Sequence, residues 1–292
     1  MLAAVIKTEY YGKLVARSLK AVKVGTAGVV VTSRQQVDAE YSRWLKEDAP
    51  DGCVARGIDF NVKSGRWLSM AHFLGQLSGA EVKQMIEVRL GLLPTPNRLG
   101  RIGQDSLLHC DCRTRHNGLP GHIMQKCASS KPARMKRHNE VAKLLARYLV
   151  ERGFRVTSEP RLRTAGGVKV PDLVAINGES KSALVLEVAI CNSTDIINSR
   201  YTDKLVKYDT VEVRECVALE SSGLTAGAVE VLPVVMNFRG AISPVSRQRL
   251  RKAGLTDDEL TWLEVKTLKG SARVFRQWRK ACRRGNSGIQ GR

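Results

Sequence analysis

Residues 169–190, KVPDLVAINGESKSALVLEVAI, constrain the fold more than any other stretch. Two apolar runs flank NGESKS, and Asn177-Gly178 is a turn signal, so the segment reads as an antiparallel hairpin. Folding it symmetrically about that loop pairs Asn177 with Ser182 and, further out, Asp172 with Glu187. In this register the two carboxylates stand opposite each other on one face, with Cβ atoms roughly 4.5–5.5 Å apart. A slip of one residue would send every side chain to the other face, so the pairing depends on the register. Two like charges so placed, one of them inside LVLEVAI, call for a cation between them, and a divalent metal ion fits that need.

The surrounding segments supply strands and helices around the hairpin. FRVTSEP, VKVPDLVAI, SALVLEVAI and VEVLPVVMNF read as strands, and residues 131–240 read as helix, three strands, helix, strand. In HNEVAKLLARYLVERG, Val141, Leu144, Leu145, Tyr148 and Leu149 form one apolar stripe, and Gly153 ends the helix. Upstream, SGAEVKQMIEVRLGLL opens with a capping box from Ser78 to Glu81. Trp44 and Trp67 read as core residues. Residues 241–292 form a basic helical tail, with 13 Lys and Arg against 4 Asp and Glu. Within it Val274, Phe275 and Trp278 share a face, which suits either packing or a helix that contacts phosphates.

The whole chain carries 48 Lys and Arg against 28 Asp and Glu, a formal charge of +20 over 292 residues. Such a surplus attracts polyanions, most simply nucleic acid, with strong salt dependence. Nothing approaches the roughly 18 consecutive apolar residues of a membrane span, and the N-terminal apolar run is too short for a signal peptide. The seven cysteines are odd in number, against a disulfide framework and in favour of a reducing, intracellular setting.

Three of those cysteines cluster. CDCRTRHNGLPGHIMQKC gives Cys110-x-Cys112-x9-His122-x4-Cys127, three thiols and one imidazole, the donor set of a tetrahedral structural zinc. The C-x-C half is tight, which leaves His109 or His116 open as a replacement ligand. Arg113, Arg115, Lys126, Lys131, Arg134, Lys136 and Arg137 surround the cluster and suit a surface that faces nucleic acid.

The hairpin carboxylates resemble the outline of PD-(D/E)xK nucleases, in which two carboxylates hold Mg²⁺ and a lysine contacts the scissile phosphate. The position two after Glu187 departs from that outline, being Ala189. Lys204 and Lys207 in SRYTDKLVKYD share a helix side and are candidates for a displaced lysine; Lys169 and Lys181 lie near the hairpin ends. Taken in order, EVRLGLLPTPNRLGR, HIMQKC, KRHNEVAKLLARYL, VPDLVAI, LVLEVAI and YTDKLVKYD resemble the C-terminal region of site-specific non-LTR retrotransposon polyproteins of the R-two type.

That resemblance implies an α+β or α/β fold: a restriction-endonuclease-like core with a small zinc knuckle and flanking helices. It implies a linker or thumb-like region at 1–105, a CCHC knuckle at 106–130, an endonuclease at 131–240 and the basic helical tail at 241–292. It puts the catalytic roles on Asp172, Glu187 and Lys204, with Asp172 and Glu187 holding Mg²⁺, and zinc on Cys110, Cys112, His122 and Cys127. Arg113, Arg115, Arg137, His138 and Lys207 become nucleic-acid contacts, with Arg137, His138 and Asn139 expected at a helix start. DNA is the expected target, element RNA a further partner, and the nucleus the place of action. No YxDD-type polymerase motif occurs in the 292 residues, so the chain reads as part of a larger reading frame or a truncated element. The alternative is a nucleic-acid-binding zinc-knuckle module on an inactive nuclease fold.

Overall fold

The computed structural model describes residues 75–89, 91–96, 118–192 and 196–287, together with Trp67, Leu99 and Cys112. In chain order these form α1 (Gly79–Arg89), α2 (Lys131–Val150), β1 (Arg155–Ser158), β2 (Leu162–Thr164), β3 (Gly167–Lys169), β4 (Leu173–Asn177) and β5 (Ser182–Cys191). They continue with α3 (Ile197–Tyr208), α4 (Val211–Ala218), β6 (Val229–Asn237), α5 (Pro244–Lys252) and α6 (Asp257–Ser287).

The hairpin has the register read from its loop. Asn177 faces Ser182 and Leu173 faces Leu186, which leaves Asp172 one step beyond the last pair, beside Glu187. β1 pairs antiparallel with the outer side of β4, and β6 runs parallel to β5, giving the order β1-β4-β5-β6. The result is a small mixed sheet in a mixed α/β chain. A parallel neighbour requires a crossover, and α3 with α4 provides it. Pro233, opposite Glu187, lies on the outermost strand, where prolines are tolerated.

Both faces of the sheet are buried. Leu173, Ala175, Leu184, Leu186 and Val188 share one layer with Val141, Leu145 and Leu149 of α2. Val174, Ile176, Ala183 and Val185 share the other with Tyr208 of α3 and with Val213 and Val217 of α4. Alternation along β5 therefore turns Glu187 toward α3.

Two boundaries differ from the sequence reading. VKVPDLVAI is not one strand: β3 pairs with β2 as a separate two-stranded sheet, and β4 starts only after Pro171. Pro171 has no N–H to give a ladder, and it restricts Val170 before it. The helix read from His138 in fact starts at Lys131, with Pro132 in its first turn, where a missing N–H is no loss. Arg137 and His138 consequently sit well inside α2 rather than at its start. The far end is as expected, with Gly153 at φ +78° beyond the last turn.

The capping box of α1 is formed both ways: Glu81 N–H donates to Ser78 Oγ at 3.2 Å and Ser78 N–H donates to Glu81 Oε2 at 3.0 Å. α6 lies against both α1 and α2. Its Val274, Phe275 and Trp278 are buried with Met85 and Val88 of α1, with Trp67, and with Ile123, Met124 and Cys127. The shared apolar face of the basic segment is thus a wall of the core, and Trp67 is a core residue as expected; Trp44 lies outside the described residues. At Gly270 the two helices come so close that a Cβ would overlap the Arg137 side chain. Among the described residues no helix is long and apolar enough to cross a membrane.

Candidate functional site

β5 presents Glu187 to α3, and α3 answers with a cation. Lys204 Nζ lies 2.6 Å from Glu187 Oε1, and the other carboxylate oxygen accepts the Asp172 N–H at 3.3 Å. The Glu187 side chain is 8% exposed and that of Lys204 25%. A buried carboxylate with a charge-assisted bond to lysine is a satisfied arrangement; without the lysine it would not be. One turn further along α3, the Tyr208 hydroxyl donates to Val170 O at 2.9 Å, two residues before Asp172. Lys204 and Tyr208, at i and i+4, thus grip both arms of the hairpin from one helix face. Burial, reinforced by the Glu187 charge, pushes the Tyr208 hydroxyl above its ordinary pKa, which keeps it a donor.

Asp172 is held from the opposite side. Its Oδ2 accepts the Val188 N–H at 2.7 Å and lies 3.1 Å from His138 Nε2 on α2. That nitrogen is also 3.1 Å from Val188 O. The hydrogen bond with Asp172 raises the His138 pKa and, with the aspartate's charge, outweighs burial, holding the imidazolium up to about 9. Each carboxylate therefore has its own protein cation, and the repulsion expected between them is relieved without a metal. The Oδ1 atom of Asp172 takes part in none of these bonds. Asp172 and Glu187 bring carboxylate oxygens to the same end of the hairpin, the hard donor type that a divalent cation takes.

The remaining expected residues are distributed as follows. Lys207 is exposed, with its Nζ 2.8 Å from the Tyr208 hydroxyl and 4.5 Å above the Tyr208 ring. Lys169 is on β3 and Lys181 in the turn between β4 and β5. Arg137, expected to touch nucleic acid, is instead buried, with 2% exposure. Its guanidinium donates to Ser271 Oγ at 2.9 Å and to Met124 O at 3.1 Å. Inside α2, Arg137 faces α6, and Gly270 there leaves the space that its stem fills. Arg113 and Arg115 lie outside the described residues.

A second cluster stands on the same core. Donor atoms of Cys112, His122 and Cys127 all lie within 4.8 Å of one another, and Cys112 Sγ is 3.1 Å from His122 Nε2. Two ligands of one tetrahedral zinc stand roughly 3.5–4 Å apart, so these three fit a single ion. The fourth expected ligand, Cys110, and its alternatives His109 and His116 lie outside the described residues. The π-helical turn from His122 to Cys127 is fastened by its backbone oxygens. Ser130 Oγ donates to Ile123 O at 2.7 Å, Arg134 donates to Gln125 O and Cys127 O, and Arg137 donates to Met124 O. Gln125 Nε2 donates to Cys191 O at 3.0 Å, at the end of the strand that carries Glu187.

Two contributors were not singled out by role from the sequence: His138 as the partner of Asp172, and Tyr208 as the clamp on Val170. A signal for the first existed. His138 stands three residues before Val141 and seven before Leu145, so it continues the apolar stripe with a polar side chain.

No family model matches the chain. Curated proteins similar to it are retrotransposon Pol polyproteins. It is 30% identical, over 84% of its length, to the retrovirus-related Pol polyprotein from type-2 retrotransposable element R2DM of Drosophila melanogaster. It is 27% identical over 89% of its length to the Pol polyprotein from type-1 retrotransposable element R2 of Nasonia vitripennis. A Pol polyprotein of the same description from Popillia japonica is 25% identical over 87% of the chain. The matched stretch makes up 23%, 22% and 56% of those three relatives, so the chain corresponds to a segment of such a polyprotein.

Proposed function

We propose that this chain is the Mg²⁺-dependent DNA endonuclease segment of an R2-type retrotransposon polyprotein, nicking target DNA in the nucleus so that reverse transcription can be primed there. The observation that carries the reading is the meeting of Asp172, Glu187 and Lys204 at one end of the β4–β5 hairpin. The order helix, strand, hairpin, crossover, parallel strand supports a PD-(D/E)xK core, with its lysine moved from the second strand to α3. Residues 131–240 are the cleavage domain in this reading, residues 106–130 a zinc-binding insert, and residues 241–292 the helices that close the core.

Asp172 and Glu187 would hold the Mg²⁺, which supplies charge neutralisation at the phosphate and a more acidic bound water. The chain's own groups do the positioning. Lys204 keeps an ammonium beside Glu187, where it can donate to a phosphate oxygen or to the attacking water. His138, cationic at neutral pH, orients Asp172 through Oδ2 and leaves Oδ1 for a ligand. Tyr208 fixes Val170 and with it the approach to Asp172. At the second cluster, Cys112, His122 and Cys127, with Cys110 as the fourth ligand, would hold a structural zinc. The net charge of +20 draws the polyanionic substrate in.

Nicking of supercoiled plasmid with Mg²⁺ or EDTA tests the reading, with wild type beside Asp172→Ala. Nicks should appear only with Mg²⁺ and only in wild type. Folded wild type that binds DNA without nicking it would leave a nucleic-acid-binding zinc module on an inactive nuclease fold.

A further inference from the structure

β2 and β3 form a ribbon that leads directly into the carboxylate site. Glu159, just before β2, donates its N–H to Asp172 O at 2.9 Å, and Val170, just after β3, stands two residues before Asp172. The ribbon turns through Ala165-Gly166. Thr164 Oγ1 donates to Gly167 O at 2.6 Å across that turn, where Gly167 takes a φ of +103° that favours glycine.

Register sorts the side chains of the ribbon onto two faces. Leu162 pairs with Lys169 and Arg163 with Val168, and residues directly opposite share a face. Leu162 is buried with Val213 and Val217 of α4, and the Cys216 thiol on that helix donates to Arg163 O at 3.0 Å. The inner face is therefore settled on α4. The outer face carries Arg163 and Val168 and, two residues along each strand, Arg161 and Val170. All four are exposed, Val168 by 52% and Val170 by 41%. Neither guanidinium has an ion pair or hydrogen bond among the described residues.

A face that met only water would have no use for bare valines, and one that met only phosphates would need no more than cations. Two forked cations opposite two apolar side chains match the edge of a base pair instead. Arginine takes guanine O6 and N7 together, and an apolar side chain takes the thymine methyl. A two-stranded ribbon fits the major groove of B-form DNA, roughly 12 Å wide. The major groove of an RNA duplex is too deep and narrow to be read by side chains. The reach is short as well. Arg161 and Val170 each stand two residues from the Glu159–Asp172 bond, about 7 Å of extended chain, and Arg163 and Val168 about twice that. At 3.4 Å per step of a strand, the face lies within about four base pairs of a phosphate held at Asp172.

We propose that the outer face of the β2–β3 ribbon enters the major groove of the cleaved DNA and reads the base pairs beside the nick, with Arg161 and Arg163 selecting guanine. This rests on the proposed function in taking the duplex at Asp172 and Glu187 as the ligand.

The test uses the full chain and a pool of DNA duplexes randomised over eight base pairs. Bound duplexes are selected in EDTA and sequenced, and the same pool is then nicked with Mg²⁺ so that preferences can be aligned to the broken bond. Wild type should favour guanine at one or two positions by about 10-fold, within about four base pairs of the nick. Arg161→Lys and Arg163→Lys keep the charge but lose the fork. Each should reduce the preference at its own position to about twofold or less, while the salt dependence of binding stays as in wild type. A control, Arg147→Lys/Arg276→Lys, changes two exposed arginines elsewhere and should leave every preference intact. A wild type without base preference, a preference that survives both variants, or one lost equally in the control overturns the proposal. Selection without nicking would overturn the nuclease reading and leave base reading by the ribbon standing; nicking without selection would overturn the ribbon alone.

Discussion

Asp172 and Glu187 are 15 residues apart and meet because two strands pair in one register. Cys112, His122 and Cys127 fall within one short stretch, the last two at either end of a single π-helical turn, His122–Lys126. The first cluster arrives with cations already in place, Lys204 on one side and His138 on the other. The second brings ligands and a set of backbone bonds that fasten the turn. One site should keep its shape when stripped of metal, because protein charges balance it. The other should lose much of what holds Cys112 to its partners, because metal affinity there is folding energy.

The sharpest way to break this contrast is to remove one carboxylate. Asp172→Ala or Glu187→Ala should lower nicking at least about 1,000-fold, while circular dichroism and DNA binding in EDTA stay close to wild type. Cys127→Ser should reverse the pattern. We expect less than one zinc per chain by metal analysis and a stability loss of about 2–4 kcal/mol in urea unfolding, with a smaller fall in nicking per folded molecule. If zinc content and stability both held, the cluster would be a packing feature and the contrast would collapse.

Lys204→Ala tests whether the counter-cation serves structure and chemistry together. Nicking should fall by about 100-fold, and stability by about 2 kcal/mol, because Glu187 is left buried and unpaired. His138 gives the pH signature. Its folded pKa of about 9 lies above the ordinary 6.5, so its contribution is complete below about pH 6.5 and fades as pH rises through 9. In EDTA, wild type should lose on the order of 2 kcal/mol across that window relative to His138→Gln; parallel unfolding curves for the two would remove the ion pair from the account. The smallest effect is expected for Lys207→Ala, less than about threefold in nicking, since its ammonium rests on Tyr208 rather than on a carboxylate.

The parts legible in the sequence were those governed by short periods and local chemistry. Alternation on both sides of Asn177-Gly178 gives the hairpin register, and Ser78 with Glu81 gives the start of α1. The spacing of Cys112, His122 and Cys127 brings those three together. What was missed depended on tertiary packing. VKVPD looks like a continuous strand until Pro171 is weighed as a break. Arg137 looks like a surface contact because arginines usually are one, but Gly270 on a distant helix opens the space that its stem fills. The apolar face of the basic segment was visible in Val274, Phe275 and Trp278. That Leu263, Val265, Leu268 and Ser271 are buried too follows from distant neighbours, α1, α2, the turns at 122–130 and residues of β6, whose positions no local pattern encodes.

The place of α6 in the core also has a consequence for the order of assembly. The strands and α2 are complete by residue 240, but one wall of their core is supplied by residues 257–282. Closure joins distant parts of the chain: Arg137 meets Ser271 134 residues later, and Gln277 reaches back 148 residues to Ser129. Contacts of such separation form slowly because a long loop must close first. During synthesis, at about 5–20 residues per second, the apolar surfaces around Trp67, Met124 and Val141 stay uncovered for seconds after the sheet itself could form. A ribosome stalled shortly after residue 240 would hold a chain with its sheet made and its core open, the species most in need of a chaperone.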